Sequence, residues 1–283
     1  MTAKRILVVG ATGTQGGTVV DALQPESNDE REVYGLTRSP ESDAARALAD
    51  RGVTIVAGDL TDRDAMDEAL SGMNAAFGVT TGMGGGDERE QGDTLVAAAE
   101  ESGISHLVMS TGGNCDDRPG IPHIDAKADI EERVGESNLQ ATVLRPHSFA
   151  SNFEAQREAI ETGELPYPMG PDDRRTLVDP ADIGRLAARA FDDPNRFAGE
   201  TIELAADSYT FAEVAAAFSE VVGHEVEPVS VPVETFVDRM GAPPSFARFF
   251  ECQNELHPFD PDRLPEEFDF EPTDLKGYLE REW

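Results

Sequence analysis

Four groups of side chains in this 283-residue chain have types and spacings suited to proton and phosphate chemistry. They are Ser110-Thr111-Gly112, His123, Lys127, and Arg145-Pro146-His147-Ser148-Phe149. His123 and Lys127 are four residues apart, which on a helix places them on one face. An ammonium there can hold a sugar hydroxyl and lower the pKa of a neighbouring acid by its charge. An imidazole can give or take a proton near neutral pH. Pro146 and Phe149 can shelter an apolar ring, and Asn152 can orient it. Lysine occurs only at Lys4, Lys127 and Lys276, which sets Lys127 apart from ordinary surface charge. His123 is equally suited to an ordinary helix start, and His147 to a structural role. His106, His123, His147, His224 and His257 lack close ligand spacing, so no metal site is expected. No nucleophile elbow is visible, which disfavours a serine hydrolase.

The partner for these groups is announced at the start of the chain. Ile6 to Val9 is an apolar strand that runs directly into Gly10-Ala11-Thr12-Gly13-Thr14-Gln15-Gly16-Gly17. Gly10 permits a tight turn, Gly13 lets backbone approach a pyrophosphate, and Gly16 lets the following helix pack closely on the sheet. The helix N-terminus favours the phosphate charge. Gly10 and Gly13 are three positions apart, whereas the commonest dinucleotide fingerprint has its first two glycines two apart. After the second strand, Thr37-Arg38-Ser39 has an arginine where an acidic residue would hold the ribose hydroxyls of NAD. Arg38, aided by Ser39 and Thr14, suits a 2'-phosphate, so NADP(H) is the expected cofactor. Asp59 and Leu60 are placed to frame the adenine, and Thr80 and Thr81 to line the passage to the nicotinamide.

Strands and helices alternate along this part of the chain. Strands are predicted at 5–9, 33–37, 53–57, 75–79, 107–110 and 141–144. Helices are predicted at 15–24, 40–50, 62–70, 87–102 and 123–136. This rhythm implies an α/β fold, a doubly wound parallel sheet covered on both faces. Residues 1–150 form the cofactor-binding part, its sheet completed by later residues. Residues 151–283 form a smaller, interwoven α/β lobe for substrate or partner. There, 149–162 reads as helical, 166–171 as turn-rich, 179–191, 211–222, 232–240 and 244–255 as helical, and 201–204 as a strand. The glycine-rich loop 80–86 puts Gly84 against substrate, together with Phe149 and Asn152. No internal repeat is visible.

Asp and Glu number 56 against 23 Lys and Arg, a formal charge of -33, spread along the chain rather than gathered in a tail. This suits a salt-rich cytoplasm, where ions screen the self-repulsion, and the expected source is a halophile. It disfavours direct nucleic-acid binding, which needs a basic surface. No apolar run reaches the roughly 18 residues of a membrane span, and no signal peptide is read. Cys115 and Cys252 form no disulfide framework.

Together, Gly10 to Gly17, Thr37-Arg38, Gly58-Asp59-Leu60, Gln91-Gly92, Ser110, His123 to Lys127, and Arg145-Pro146 through Phe149 to Asn152-Phe153 resemble the NmrA-like family. These are atypical members of the short-chain dehydrogenase/reductase superfamily. The resemblance spans roughly residues 4 to 255 and implies an NADP-binding sheet with a small C-terminal lobe. The superfamily's usual catalytic pair is a tyrosine followed four residues later by a lysine. Here His123 holds the tyrosine position, Lys127 matches the lysine, and Ser110 matches the triad serine. Some relatives reduce quinones or phenolic substrates. Others sense the dinucleotide and act through a protein partner. Two readings follow. The first is an NADPH-dependent reductase of a quinone, enone or carbonyl, with Lys127, His123 and Ser110 at the reaction. The alternative is a non-catalytic sensor or transcriptional co-regulator. A sugar-nucleotide epimerase is disfavoured by the missing tyrosine. Monomer and homodimer both remain open.

Overall fold

The computed structural model describes residues 3–24, 31–82, 86–252 and 256–283. Strand and helix alternate through β1 (Lys4–Val9), α1 (Thr14–Leu23), β2 (Arg31–Thr37), α2 (Asp43–Asp50), β3 (Thr54–Ala57), α3 (Arg63–Leu70), β4 (Ala75–Val79), α4 (Glu88–Ser102), β5 (His106–Ser110), α5 (Pro122–Gly135) and β6 (Ala141–Pro146). The chain continues through β7 (Ser148–Phe149), α6 (Arg157–Glu161), β8 (Glu164–Tyr167), β9 (Arg174–Val178), α7 (Pro180–Asp192), α8 (Pro194–Phe197), β10 (Thr201–Leu204), β11 (Asp207–Thr210), α9 (Phe211–Val222) and β12 (Glu227–Ser230). The last helices are α10 (Val233–Met240), α11 (Ala247–Glu251), α12 (Arg263–Phe268) and α13 (Leu275–Glu282).

Two compact units emerge, each assembled from three stretches. The first takes Met1–Gly112, Ala126–Arg145 and Pro180–Ile202; the second takes Gly113–Asp125, Pro146–Asp179 and Glu203–Trp283. The first unit holds a seven-stranded sheet in the order β10-β6-β5-β4-β1-β2-β3. Its pairs β1–β2, β1–β4, β2–β3, β4–β5 and β5–β6 are parallel. Every residue of β5 is buried, as a strand covered on both faces requires. The order reverses between β1 and β4, which opens the crevice at the carboxyl ends of the strands. Leu7, Leu95, Leu107 and Met109 belong to the core of this unit. On another face, α1 and α7 meet backbone to backbone. A Cβ on Gly184 would come within 2.0 Å of the Thr18 carbonyl oxygen, so only glycine allows that approach.

Helix starts follow the local sequence. Ser42 and Asp62 cap α2 and α3, each accepting from the backbone N–H three residues on. Asp87 accepts from the N–H of Arg89 at the start of α4, where Glu88 and Glu90 also suit the helix dipole.

The second unit has a three-stranded sheet, β11-β9-β7, and a parallel pair, β12–β8. Its core is aromatic: Phe153, Tyr167, Phe211, Phe218, Phe236 and Phe250 are all buried. Residues 149–162 are not one helix but the end of β7, a 3-10 turn over Ala150–Gln156 and the short α6. The 166–171 turn begins inside a strand, β8, which buries Leu165 and Tyr167 on one face and tolerates Pro166 in a two-stranded sheet. Strands β9, β11 and β12 and helices α12 and α13 are structure that the local pattern does not signal. Leu177 of β9 and Leu275, Tyr278 and Leu279 of α13 join the aromatic core.

Candidate functional site

The turn after β1 has the geometry its glycines predict. Gly10 has φ +64°, in the left-handed region that glycine adopts without cost. Its carbonyl accepts from Gly13 N at 2.8 Å. A Cβ on Gly16 would lie 2.3 Å from the Gly10 carbonyl oxygen, so α1 packs against its own turn. Thr12, Gly13 and Thr14 are exposed. Unlike α2, α3 and α4, α1 has no side-chain cap at its first residue, Gly13. Its leading N–H groups are left for an anion.

Arg38 and Ser39 are exposed just beyond β2. Among the described residues no carboxylate or carbonyl accepts from the Arg38 guanidinium, although it lies close enough to Asp59 to be felt there. The Asp59 carboxyl is held below its usual range mainly by the N–H and hydroxyl of Thr61, with a smaller contribution from Arg38. Asp59 accepts both Thr61 bonds, at 2.9 and 2.8 Å. Leu60 is buried in the core of the unit, so any framing of a ligand at this point falls to Asp59 and the backbone.

The carboxyl ends of β4 and β5 carry the densest polar cluster. Lys127 Nζ lies 2.9 Å from Glu88 Oε1, with the two side chains 16% and 3% exposed. Thr80 donates its hydroxyl to the same oxygen at 2.8 Å. The second oxygen, Oε2, is buried without a partner among the described residues and faces Gly82, where a Cβ would stand 3.4 Å away. Thr81 N donates to Gln91 Oε1 at 2.8 Å, which fixes the passage after β4.

Helix packing explains how the cluster forms. A Cβ on Gly92 would lie 2.4 Å from Ile130 Cγ1, so glycine lets α5 press against α4. Glu88 is one turn before Gly92, and Lys127 one turn before Ile130. Glu131, the next turn of α5, accepts from Arg145 Nε and Nη2 at 3.0 and 2.6 Å and from the Thr111 hydroxyl at 2.6 Å. Arg145 therefore anchors α5 and is not held out for a ligand. Ser110 is fully buried and donates to Gln15 Oε1 at 2.6 Å. The hydroxyl so ties β5 to the first turn of α1.

The other expected site residues belong to the second unit. His123, half-buried, stacks on Phe246 with ring centroids 5.3 Å apart. Pro146 is buried, Phe149 half-buried and Asn152 exposed. Gly84 lies outside the described residues. His147 Nε2 lies 2.6 Å from Glu203, and a Cβ on Gly113 would strike its ring. Asp116, Glu203 and His257, distant in sequence, present ligand atoms within 4.8 Å of one another. Glu203 also lies beside His147, and His257 Nδ1 is 3.0 Å from Asp117.

The NmrA-like family profile matches residues 2–280. The chain belongs to the NmrA-like family. It is 32% identical over 261 residues to an NAD(P)H azoreductase of Xenophilus azovorans, covering 90% of this chain and 87% of that one. Its fold is similar to that of an NADPH-dependent quinone oxidoreductase of Escherichia coli (TM-score 0.82, 22% identity, 98% and 99% covered). It is also similar to that of NmrA, a negative transcriptional regulator solved with NADP (TM-score 0.80, 22% identity, 100% and 96% covered).

Glu88 is the member of this polar cluster that the local sequence does not mark. In Asp87-Glu88-Arg89-Glu90 it looks like one more solvated acid at a helix start. Its only local sign is Gln91-Gly92 directly after it, since a glycine inside a helix marks a close approach.

Proposed function

We propose that this NmrA-like chain is an NADP(H)-dependent oxidoreductase that passes hydride from NADPH to a small quinone, enone or carbonyl compound. The observation that carries the reading is a buried lysine–carboxylate pair, Lys127–Glu88, at the same strand ends as an uncapped glycine turn. NADPH, when bound, supplies the hydride. The first N–H groups of α1, with Thr12 and Thr14 beside them, receive the pyrophosphate. Arg38, with Ser39, takes the 2'-phosphate. Glu88 orients the Lys127 ammonium, which holds a ribose hydroxyl and stabilises negative charge developing on the acceptor oxygen. His123, at the start of α5, is the proton donor in this scheme, and Phe149 and Asn152 meet the substrate. The relative named as an azoreductase and the fold neighbour named as a quinone oxidoreductase support the same reading.

Arg38→Ala tests the cofactor choice. Losing a charge-assisted bond worth about 1.5–3 kcal/mol should raise the Kd for NADPH about 10- to 100-fold and leave that for NADH almost unchanged. Equal losses for both cofactors would remove Arg38 from the 2'-phosphate. The charge of -33 further supports a working environment of concentrated salt in a cytoplasm. The melting temperature should therefore climb steadily as KCl rises toward molar levels; a flat response would refute that placement.

The sensor reading also rests on observations: the closed Ser110 hydroxyl, the stacking of His123 on Phe246, and the likeness to a transcriptional regulator. Bound NADPH that no acceptor oxidises would favour it.

A further inference from the structure

Arg175, in β9, is 2% exposed and is the largest fully buried side chain among the described residues. Among the described residues its guanidinium meets no oxygen. Nε and Nη1 are buried without a partner there, and Nη2 has only the Met169 sulfur, at 4.0 Å. A thioether is a weak acceptor. The faces of Phe249 and Phe250 stand 4.8 and 5.3 Å from the guanidinium carbon and supply cation–π attraction. Asp173 is close enough to favour the charge but accepts from Gly170 N instead, at 2.6 Å. Arginine cannot shed its proton to escape burial. A fixed, unanswered charge inside an aromatic shell weakens the fold, and packing alone would be better served by an apolar residue.

We propose that Arg175 is the anchor of a binding site in the second unit for a small aromatic carboxylate or sulfonate. The guanidinium fork takes the anionic group in place of the Met169 sulfur contact. Phe249 and Phe250 flank it, and Tyr167, Phe236 and Phe246 continue the aromatic cluster through ring contacts with Phe250. Such a cluster receives the ring of the ligand by edge and face contacts. An isolated inorganic anion would satisfy the charge but leave the aromatic shell unused, so the shell selects for an organic body. The site lies wholly within one unit, and its occupation requires neither NADP(H) nor turnover, so it stands or falls separately from the proposed activity.

The test is calorimetric titration of the whole chain, without cofactor, in molar KCl. The probes are 2-naphthoate and its neutral counterpart 2-naphthamide. The wild type should bind naphthoate at least about tenfold more tightly than naphthamide, a difference of about 1.4 kcal/mol. Arg175→Met should bind both alike. Arg175→Lys, which retains charge without the planar fork, should keep part of the preference. Equal affinities in the wild type would overturn the proposal even if neither variant folds. So would a preference that survives in Arg175→Met, because the anion would then be recognised elsewhere.

Discussion

Lys127 in the first unit and Arg175 in the second are both cations withdrawn from solvent, and they are answered in opposite ways. Lys127 meets a carboxylate whose other contact is a threonine hydroxyl, and it retains 16% exposure. Arg175 meets rings and a sulfur and is almost wholly enclosed. A pair of the first kind holds a charge in a chosen place, because removing either partner leaves the other unsatisfied. A lone cation of the second kind weakens the fold that contains it and gains its answer only from something that arrives. A third buried group, His106, follows neither course. Its Nε2 lies 2.9 Å from the Thr142 hydroxyl, and burial, with a smaller contribution from Lys4, lowers its pKa to about 4. It remains neutral where a free histidine would begin to charge.

These contrasts can be broken by experiment. Lys127→Met should have the largest effect, about 3 kcal/mol of lost stability, because it strands the Glu88 carboxylate. Urea unfolding in fixed salt measures it, and a loss under about 1 kcal/mol would mean that the pair is not a coupled unit. The next effect belongs to His106. Between about pH 6.5 and 4 the unfolded chain binds a proton that the folded chain refuses, so stability falls as the pH drops through that window. The change is on the order of 3 kcal/mol, and His106→Gln should flatten it. An unchanged slope in that variant would show that other groups cause it. Glu88→Gln should cost about 1 kcal/mol, since the amide oxygen still accepts from Thr80. The same variant should raise the KM for NADPH as Lys127 loses its guide, and an unchanged KM would sever Glu88 from the site. Arg175→Met should move stability least, by under about 1 kcal/mol or toward a gain. A loss of several kcal/mol would make Arg175 a structural residue and erase the contrast with Lys127.

The two units also differ in how far their sequences reveal them. The glycine turn is legible because its requirements are local: a left-handed Gly10, a close approach at Gly16 and a helix that begins without a cap. The central strands are legible because burial on both faces leaves continuous apolar runs, as in Leu107-Val108-Met109. Glu88 is not legible, because its burial depends on a lysine 39 positions away and on the contact of Gly92 with Ile130. Ser110 shows the same limit from the other side. Its position in the chain suggests chemistry, and only its bond to Gln15 reveals that the hydroxyl is already engaged. Arg175 sits in Asp172-Asp173-Arg174-Arg175, which reads as a charged turn. Its alternate neighbour Leu177 turns the same way into the core, but two such positions are too few to distinguish a strand from a loop.

The central claim, that the Lys127–Glu88 cluster serves hydride transfer from NADPH, is tested most directly by a single turnover. The chain is loaded with NADPH in molar KCl, mixed rapidly with a small quinone, and followed by the loss of reduced-nicotinamide absorbance. The account predicts a decay that slows when the transferred hydrogen is deuterium and that nearly vanishes in Lys127→Met while NADPH still binds. NADPH that is bound by the wild type but left unoxidised by quinone, enone and carbonyl acceptors would contradict it.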